Sequence, residues 1–435
     1  MVRSWLESCR GRGMALGLDS TQSVLDAMGN PERSLAAIHV AGSNGKGTTC
    51  AMLTAGLVDA GQCTGTFTSP HVARIEERIR IDGRTVSPEE FDLAMETVRD
   101  ASESCKVGVT FFEATYLAAM HVFAKAEVDF VVLEVGMGGR LDATNTCHPV
   151  ASIITSLSME HCETLGETLD EIALEKSGIA RPGIPLILRR PPSPIVAENE
   201  IQGMADADAA KAYAAIKATI PSPQLMQMVE GWYDYRDEAA CLANRALMAI
   251  GEVEAAKAVE RLKKEVKWPG RMQNITIPAS GDSAAEEVEV ILDSAHNPSG
   301  MAKAIPLFSS QLAGRDWCLC IGSSPQRNLD YFLAPLVKVA NDLAPKLIVA
   351  TEPKGGRYPA IPADGLSSSL REVMPAGVPI VVMPDTGEAW SAFESALAAA
   401  GGEEAILGLV TGSLYLAGNL LEHLELDGDD DLSIL

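Results

Sequence analysis

The sequence predicts an α/β protein in two successive parts: a mostly parallel sheet with helices on both faces, then a smaller α/β unit. Three observations carry this. Apolar runs recur along the first half, at 35–41 (LAAIHVA), 128–135 (VDFVVLEV) and 150–156 (VASIITS), separated by helix-length stretches. Continuous runs of this kind are strands buried on both faces, as in a parallel sheet. A second alternating series starts near residue 287. The chain has 435 residues, too many for one small core, so two or three domains are expected.

Taken in order, the first strand leads into 39-HVAGSNGKGTTC-50, and residues 47–60 read as the helix that follows. After the third strand, the segment 164-TLGETLDEIALEKSGI-179 carries a helix-start pattern. Residues 190–245 give a weaker signal. RRPPSPIVAENE is turn-rich, and the Ala-rich and Met-rich stretch after it reads as helical. The second series is EVEVILD (287–293), WCLCIG (317–322), KLIVAT (346–351), VPIVVM (378–383) and AILGLVTG (405–412), with helices between. The turn 268-WPGR-271 and the GDSAAEE stretch place the boundary near 270–275. The DGDDD run near the C-terminus reads as a solvated tail.

Composition narrows the function classes. Hydrophobic content of 47% with 22% charged residues is that of an ordinary globular protein. A formal net charge of −24 argues against a nucleic-acid partner, since phosphate backbones are held by clustered Lys and Arg. A local cationic pocket for small anions is compatible with it. The nine cysteines form no C-x-x-C pair, and Cys318 and Cys320 fall in an apolar run, which suggests a reducing compartment. The first residues lack the apolar core and cleavage site of a secretory signal, and no run approaches 18 apolar residues. The expected location is the cytoplasm.

The loop departs from the common phosphate-binding pattern G-x-x-x-x-G-K-S/T. Val40 stands where the first glycine belongs, and Gly47 follows Lys46. Plain turn chemistry is one reading. The other is a phosphate site, because the loop follows a buried strand and opens a helix whose N-terminal amides favour anions. Gly42, Gly45 and Gly47 let backbone approach phosphate oxygens, Lys46 offsets their charge, and Thr48 and Thr49 bring hydroxyls.

Other candidates lie at strand ends, where open α/β sheets bind ligands. Glu134 closes FVVLEV; it caps the next turn, or it serves a magnesium ion, which takes oxygen ligands. His161 follows the third strand and suits a ligand or phosphate role. Lys176, on the predicted helix, reads alone as a surface lysine beside Glu175. Arg271 of the WPGR turn suits a base or a phosphate. In 293-DSAHNP-298, Asp293 ends a strand and His296 precedes a helix-starting proline, a turn suited to ribose or a reacting group.

In sequence these motifs run GSNGKGT, TSPH, FFEA, EVGMGGRLDATN, ITSLSMEH, EKSGI, PGR, DSAHNP and TGSLYL. That order resembles the folylpolyglutamate synthase/dihydrofolate synthase family of the Mur ligase superfamily. The resemblance spans nearly the whole chain, is thinnest over 190–265, and is most specific at EVGMGGRLDATN. It implies a P-loop-type domain over 1–270 that binds ATP and pterin, and a Rossmann-like ligase domain over 274–435. It implies a monomeric ATP-dependent amide ligase that adds L-glutamate to dihydropteroate, reduced folates or both, with two Mg2+ ions. Asn44, Gly45, Lys46, Gly47 and Thr48 would hold phosphates; Asn244, Arg271 and Asp293 would contact the nucleotide. Ser69, Glu134 and His161 would be metal ligands. Lys176 matches the family lysine that is carbamylated, and His296 the histidine of D-x-A-H-N-P, so Lys46, Lys176 and His296 are the catalytic candidates. Phe112, Glu113, Leu141, Asp142 and Ala143 match positions around the pterin-bearing substrate. Glu160 departs from the family's Asp, and 233-YDYRDEAACLAN-244 lacks its G-x-x-Q lead-in. The competing readings are a ligase for another carboxylate, an NTP-driven switch, and a binding protein without chemistry.

Overall fold

The apolar runs fold into two sheets in the computed structural model, which describes residues 2–13, 17–189, 206–220, 222, 225–229, 234–278, 287–356, 359–399 and 406–435. The first sheet contains β1 (Ala36–Ala41), β2 (Thr64–Phe67), β3 (Ile79–Ile81), β4 (Arg84–Thr85), β5 (Phe130–Glu134), β6 (Pro149–Ile154), β7 (Leu186–Arg189) and β8 (Met226–Val229). Their spatial order is β4-β3-β2-β5-β1-β6-β7-β8. All neighbours pair in parallel except β3 and β4, which form an antiparallel edge beside β2. The helices of this part are α1 (Val2–Arg10), α2 (Asp19–Ala27), α3 (Lys46–Asp59), α4 (Pro88–Cys105), α5 (Phe111–Lys125), α6 (Cys162–Leu165), α7 (Leu169–Ser177), α8 (Asp206–Thr219), α9 (Tyr235–Ile250) and α10 (Val253–Leu262).

Strand alternation decides which helix covers which face. Val131 and Leu133 of β5 face a core shared with α1, α2, α4 and α5, whereas Val132 faces the opposite core with α3, α9 and α10. Helix starts are written locally. Ser87 with Glu90, Thr110 with Glu113 and Thr168 with Glu171 form reciprocal capping boxes at α4, α5 and α7. Gly56 of α3 has no room for a side chain, since a Cβ would lie 2.7 Å from Ala255 O, so α3 and α10 pack backbone to backbone.

The second sheet holds β9 (Gln273–Pro278), β10 (Glu287–Leu292), β11 (Trp317–Ile321), β12 (Ile348–Ala350), β13 (Ile380–Val382) and β14 (Leu407–Thr411), in the order β13-β12-β11-β14-β10-β9. Only β9 runs antiparallel. Its helices are α11 (Pro298–Leu312), α12 (Leu329–Asp342), α13 (Ala363–Val373), α14 (Thr386–Ala399) and α15 (Leu414–His423). Trp317, Leu319 and Ile321 of β11 face one core and Cys318 and Cys320 the other, so both cysteines are buried strand residues as expected.

Two expectations are corrected. Part of the Met-rich stretch is strand β8 rather than helix, because its backbone completes the edge beside β7. The acidic run 427–431 is no free tail. Arg74 Nη2 donates to Asp429 Oδ1 at 2.8 Å, and Leu432, Ser433 and Ile434 beyond it are buried. Ile434 N donates to Gly83 O at 3.0 Å, and Lys267 N donates to Ile434 O at 3.0 Å. The turn-rich 190–200 segment and residues 281–286 of GDSAAEE lie outside the described residues.

Candidate active site

β1 and β5 lie side by side in the middle of the sheet, and their connections diverge, β1 leading toward β2 on one side and β5 toward β6 on the other. The carboxyl end of β1 therefore opens onto a crevice between connections. The glycine loop fills that position. Gly42 has φ +142°, and a Cβ there would fall 1.9 Å from Thr155 Oγ1, so the loop lies directly on the end of β6. Ser43 N donates to Ser156 O (2.8 Å), Asn44 N to Ser156 Oγ (2.9 Å), and Thr155 Oγ1 to Asn44 O (2.7 Å). Gly45, at φ +86°, caps α3. Lys46 Nζ arches back to donate to Gly42 O (3.0 Å) and Ser43 O (3.2 Å), which holds the ammonium over the loop. Thr48 is buried one turn in. Gly47 is covered by Trp268: a Cβ would lie 2.8 Å from the indole Nε1.

Glu134 ends β5, paired in register with Val40 of β1, and is buried. Its Oε2 accepts from Ser69 N at 2.9 Å, which brings two of the metal candidates into contact. Burial pushes its pKa up, and the charges of Lys46, Arg271 and Arg78, with the Ser69 hydrogen bond, pull it back. A buried carboxylate holding one backbone donor suits an oxygen-loving cation, which also takes ligands from water and phosphate. His161 stands exposed on the loop after β6, at φ 47°, as the N-cap of α6. Among the described residues, no three acidic, His or Cys side chains converge on one point. The Glu134, Ser69 and His161 set is a mixed one drawn from three strand ends.

Lys176 is not the surface lysine its helix position suggested. It is buried, and its Nζ donates to Glu160 Oε1 at 2.8 Å; Glu175 bonds Arg140 instead. Burial works against ionisation of Glu160, but Lys176 and Lys46 hold it well below the usual carboxylate range, at about 2. The EVGMGGRLDATN loop sets the lysine's place. A Cβ on Gly139 would sit 2.8 Å from Lys176 O, and Arg140 N donates to Glu175 O at 2.9 Å, so the loop backbone docks on the end of α7.

Two of the pterin candidates, Phe112 and Asp142, meet at Gly136, where a Cβ would lie 2.6 Å from the Phe112 ring and 3.1 Å from Asp142 Oδ2. Asp142 Oδ1 accepts from Thr144 N (3.1 Å) and Thr144 Oγ1 (2.6 Å), and Oδ2 from Met137 N (2.9 Å). Glu113 is used by the fold: Oε2 accepts from Thr110 N (2.7 Å) and Oε1 from Thr21 Oγ1 (3.1 Å). Leu141 is half-buried and Ala143 buried.

The second part of the chain reaches the loop. Asp293 is buried just beyond β10; its oxygens accept from Met272 N (2.9 Å) and Ala295 N (2.8 Å), and the Arg271 charge offsets the upward push of burial. The Arg271 charge bears on both Glu134 and Asp293. His296 is exposed, with Nδ1 at 3.0 Å from Ser294 O. Asn44 Nδ2 donates to Ser299 Oγ (2.6 Å), and Asn297 Nδ2 to Asn44 Oδ1 (3.1 Å), so the loop meets the start of α11. Asn244 is turned elsewhere: its Nδ2 donates to Ala256 O at 2.8 Å across the α9–α10 pair.

Sequence reading missed Trp268, the Glu160–Lys176 pair and the buried arginines Arg78 and Arg80. The alternation R-I-R at 78–80 was the available signal for the last two. Residues 40–183 match the Mur ligase middle domain. The dihydrofolate synthase/folylpolyglutamate synthase of Bacillus subtilis is 31% identical over 72% of this chain and 76% of that protein. The chain belongs to the dihydrofolate synthase/folylpolyglutamate synthase family. Solved structures share the fold of these synthases along almost the whole chain. The Escherichia coli protein in complex with DHPP and ADP has a TM-score of 0.75 at 24% identity, covering 98% of this chain and 97% of that one. A bifunctional folylpolyglutamate synthase/dihydrofolate synthase with Mn, AMPPNP and L-glutamate bound has a TM-score of 0.75 at 24% identity, covering 98% of each chain. No helix among the described residues is long and apolar enough to cross a membrane.

Proposed function

We propose that this synthase joins L-glutamate to the carboxylate of dihydropteroate, of reduced folates, or of both, using ATP and releasing ADP and phosphate. The observation that carries the reading is the buried Glu134 carboxylate set beside the glycine loop and Lys46 at the central strand's end. The relatives support the substrate classes: one is solved with DHPP and ADP, another with AMPPNP, a metal and L-glutamate.

The γ-phosphoryl group of ATP passes to the substrate carboxylate, giving an acyl phosphate and ADP. The glutamate amine then attacks the acyl carbon, and phosphate leaves. The loop amides from Asn44 to Thr48 bind the phosphates, and Lys46 leaves its carbonyl contacts to meet the transferred group. Magnesium, when bound, offsets charge on that group; Glu134, Ser69 and His161 would hold it. Lys176 as a carbamate would stand beside Glu160 as a like charge, and the two carboxylate-like groups would be the ones to hold a second magnesium. Arg271 and Asp293 suit the nucleotide, and His296, exposed three residues beyond Asp293, suits a reacting group. Phe112, Asp142 and their neighbours suit the pterin. The units 1–270 and 274–435 would close over the reacting groups and keep water from the acyl phosphate. A cytoplasmic location fits such substrates.

The test is turnover. Purified protein with ATP, magnesium, glutamate and either dihydropteroate or a reduced folate should release phosphate and form the glutamylated product. Turnover with a different carboxylic acid and with neither of these would overturn the folate assignment.

A further inference from the structure

The common phosphate loop places Ser or Thr after its lysine, and this chain places glycine there. Trp268 gives the physical reason. Its indole lies on Gly47, so that a Cβ would meet Nε1 at 2.8 Å and Cε2 and Cζ2 at 3.0 Å. The indole is itself held. The Arg80 guanidinium lies 5.0 Å from its ring centroid. Arg80 is buried, donating to Thr68 Oγ1 (3.2 Å), to Leu432 O (3.2 Å) and to Glu77 O. Backbone on both sides of the tryptophan is fastened too: Lys267 N donates to Ile434 O at 3.0 Å, and Ser294 N to Gly270 O at 2.7 Å.

This tryptophan stands where the chain passes from α10 to β9, the first of two crossings between the sheets. The second is the returning segment after α15, and the Lys267–Ile434 hydrogen bond ties the two crossings side by side. A rotation of the second unit about this paired crossing must move Trp268 or be resisted by it. The residue it presses is the second residue of α3, beside Lys46.

We propose that Trp268 is a positioning residue that couples the inter-domain crossing to the phosphate loop through direct contact with Gly47, braced by Arg80 and the Leu432 carbonyl. The proposal rests on the loop's nucleotide role, and its central measurement needs no turnover. A misplacement of about 1 Å near the reacting groups costs roughly 100-fold in rate, so a loose contact should be visible in kinetics.

The experiment is a double-mutant cycle of Gly47→Ala and Trp268→Leu in the full chain, read as the dissociation constant for AMPPNP with magnesium. Alongside it are the KM for MgATP, the KM for the pterin substrate, kcat and the melting temperature. Gly47→Ala alone should weaken AMPPNP binding by about tenfold, and by less than about twofold when Trp268→Leu has made room. Trp268→Leu alone should lower kcat about tenfold or more with the pterin KM within about twofold, and Trp268→Phe should restore most of it. Additive effects in the cycle would overturn the proposal. So would a Trp268→Leu variant that melts earlier yet keeps kcat and nucleotide affinity within about twofold, the behaviour of a mere filler. Should Trp268→Leu not fold, Trp268→Met completes the same cycle. If wild type binds no nucleotide, the loop reading itself fails; if it binds nucleotide but shows no glutamate transfer, the ligase reading fails while the cycle still decides the contact.

Discussion

His39 shows how a residue of the glycine-loop motif can serve stability rather than chemistry. It sits in β1, fully buried, with Nε2 at 2.8 Å from Thr144 Oγ1. That hydroxyl donates to Asp142, so Nε2 carries the proton, and the buried Nδ1 has no partner among the described residues. Burial, aided by the Arg181 charge, pulls its pKa down to about 3. The folded value lies below the unfolded 6.5, so the unfolded chain binds more protons across that window. Stability from neutral His39 is present above pH 6.5 and is lost as pH falls toward 3. Between pH 7 and 5 the loss should be about 2 kcal/mol. His39→Gln keeps a donor to Thr144 and should remove that share of the pH slope in urea unfolding. An unchanged slope would place the titration elsewhere. At this scale the sequence showed residue types at strand ends, Glu134 above all, because position along a strand is local information. It did not show that Lys176 pairs with Glu160 or that Trp268 covers Gly47, because each contact depends on how distant segments pack.

Among elements, the docking of the GMGGRLDATN loop on α7 accounts for Gly139 better than turn chemistry does. Gly138 takes φ +67°, while Gly139 is needed for close approach: a Cβ there would have Lys176 O, Ile179 and Glu175 O all within 3.0 Å. Backbone on the far side cannot yield as a side-chain tip can. Gly139→Ala should cost about 1–3 kcal/mol by overpacking. It should lower kcat by more than its stability loss explains, because α7 carries Lys176 toward Glu160. Gly183→Ala is the control: its strain is a positive φ (+75°) with nothing within 4 Å of a Cβ, so it should cost stability with turnover unchanged. Equal kcat in the two variants would detach the loop from the lysine's placement. Strands, the helix start within 164–179 and the helix after DSAHNP were legible because each is written in a few adjacent residues. β8 was not, since an edge strand takes its conformation from the neighbour it pairs with.

Over the whole molecule, the two sheets are joined by more than the covalent crossing at 263–272. Glu238 of α9 meets Arg189 at the end of β7 (2.8 Å) and Lys303 of α11 (2.9 Å), all three largely buried, and Asn44 meets Ser299. Val72, two residues past the Ser69–Pro70 peptide, packs in the second unit's core, and Gly418 of α15 lies against its carbonyl. The returning C-terminal segment completes the tie by burying Ile434 in the core under α3 and α10. Charge patterning suggested a solvated tail because five residues, DGDDD, dominate the composition there, while the anchor is two apolar side chains beyond them. Ile434→Asp replaces a fully buried side chain with a charge that has no partner there. It should release residues 424–434 and cost about 3–5 kcal/mol of stability. A protease specific for acidic residues should then cut at Glu425–Asp431, where wild type resists, and the cut should precede global unfolding. Since the freed segment no longer bonds Lys267 or braces Arg80, nucleotide affinity should fall in the same variant. Rapid cleavage of wild type at those sites, or a cut variant with unchanged affinity, would show that the segment covers the crossing without tying it.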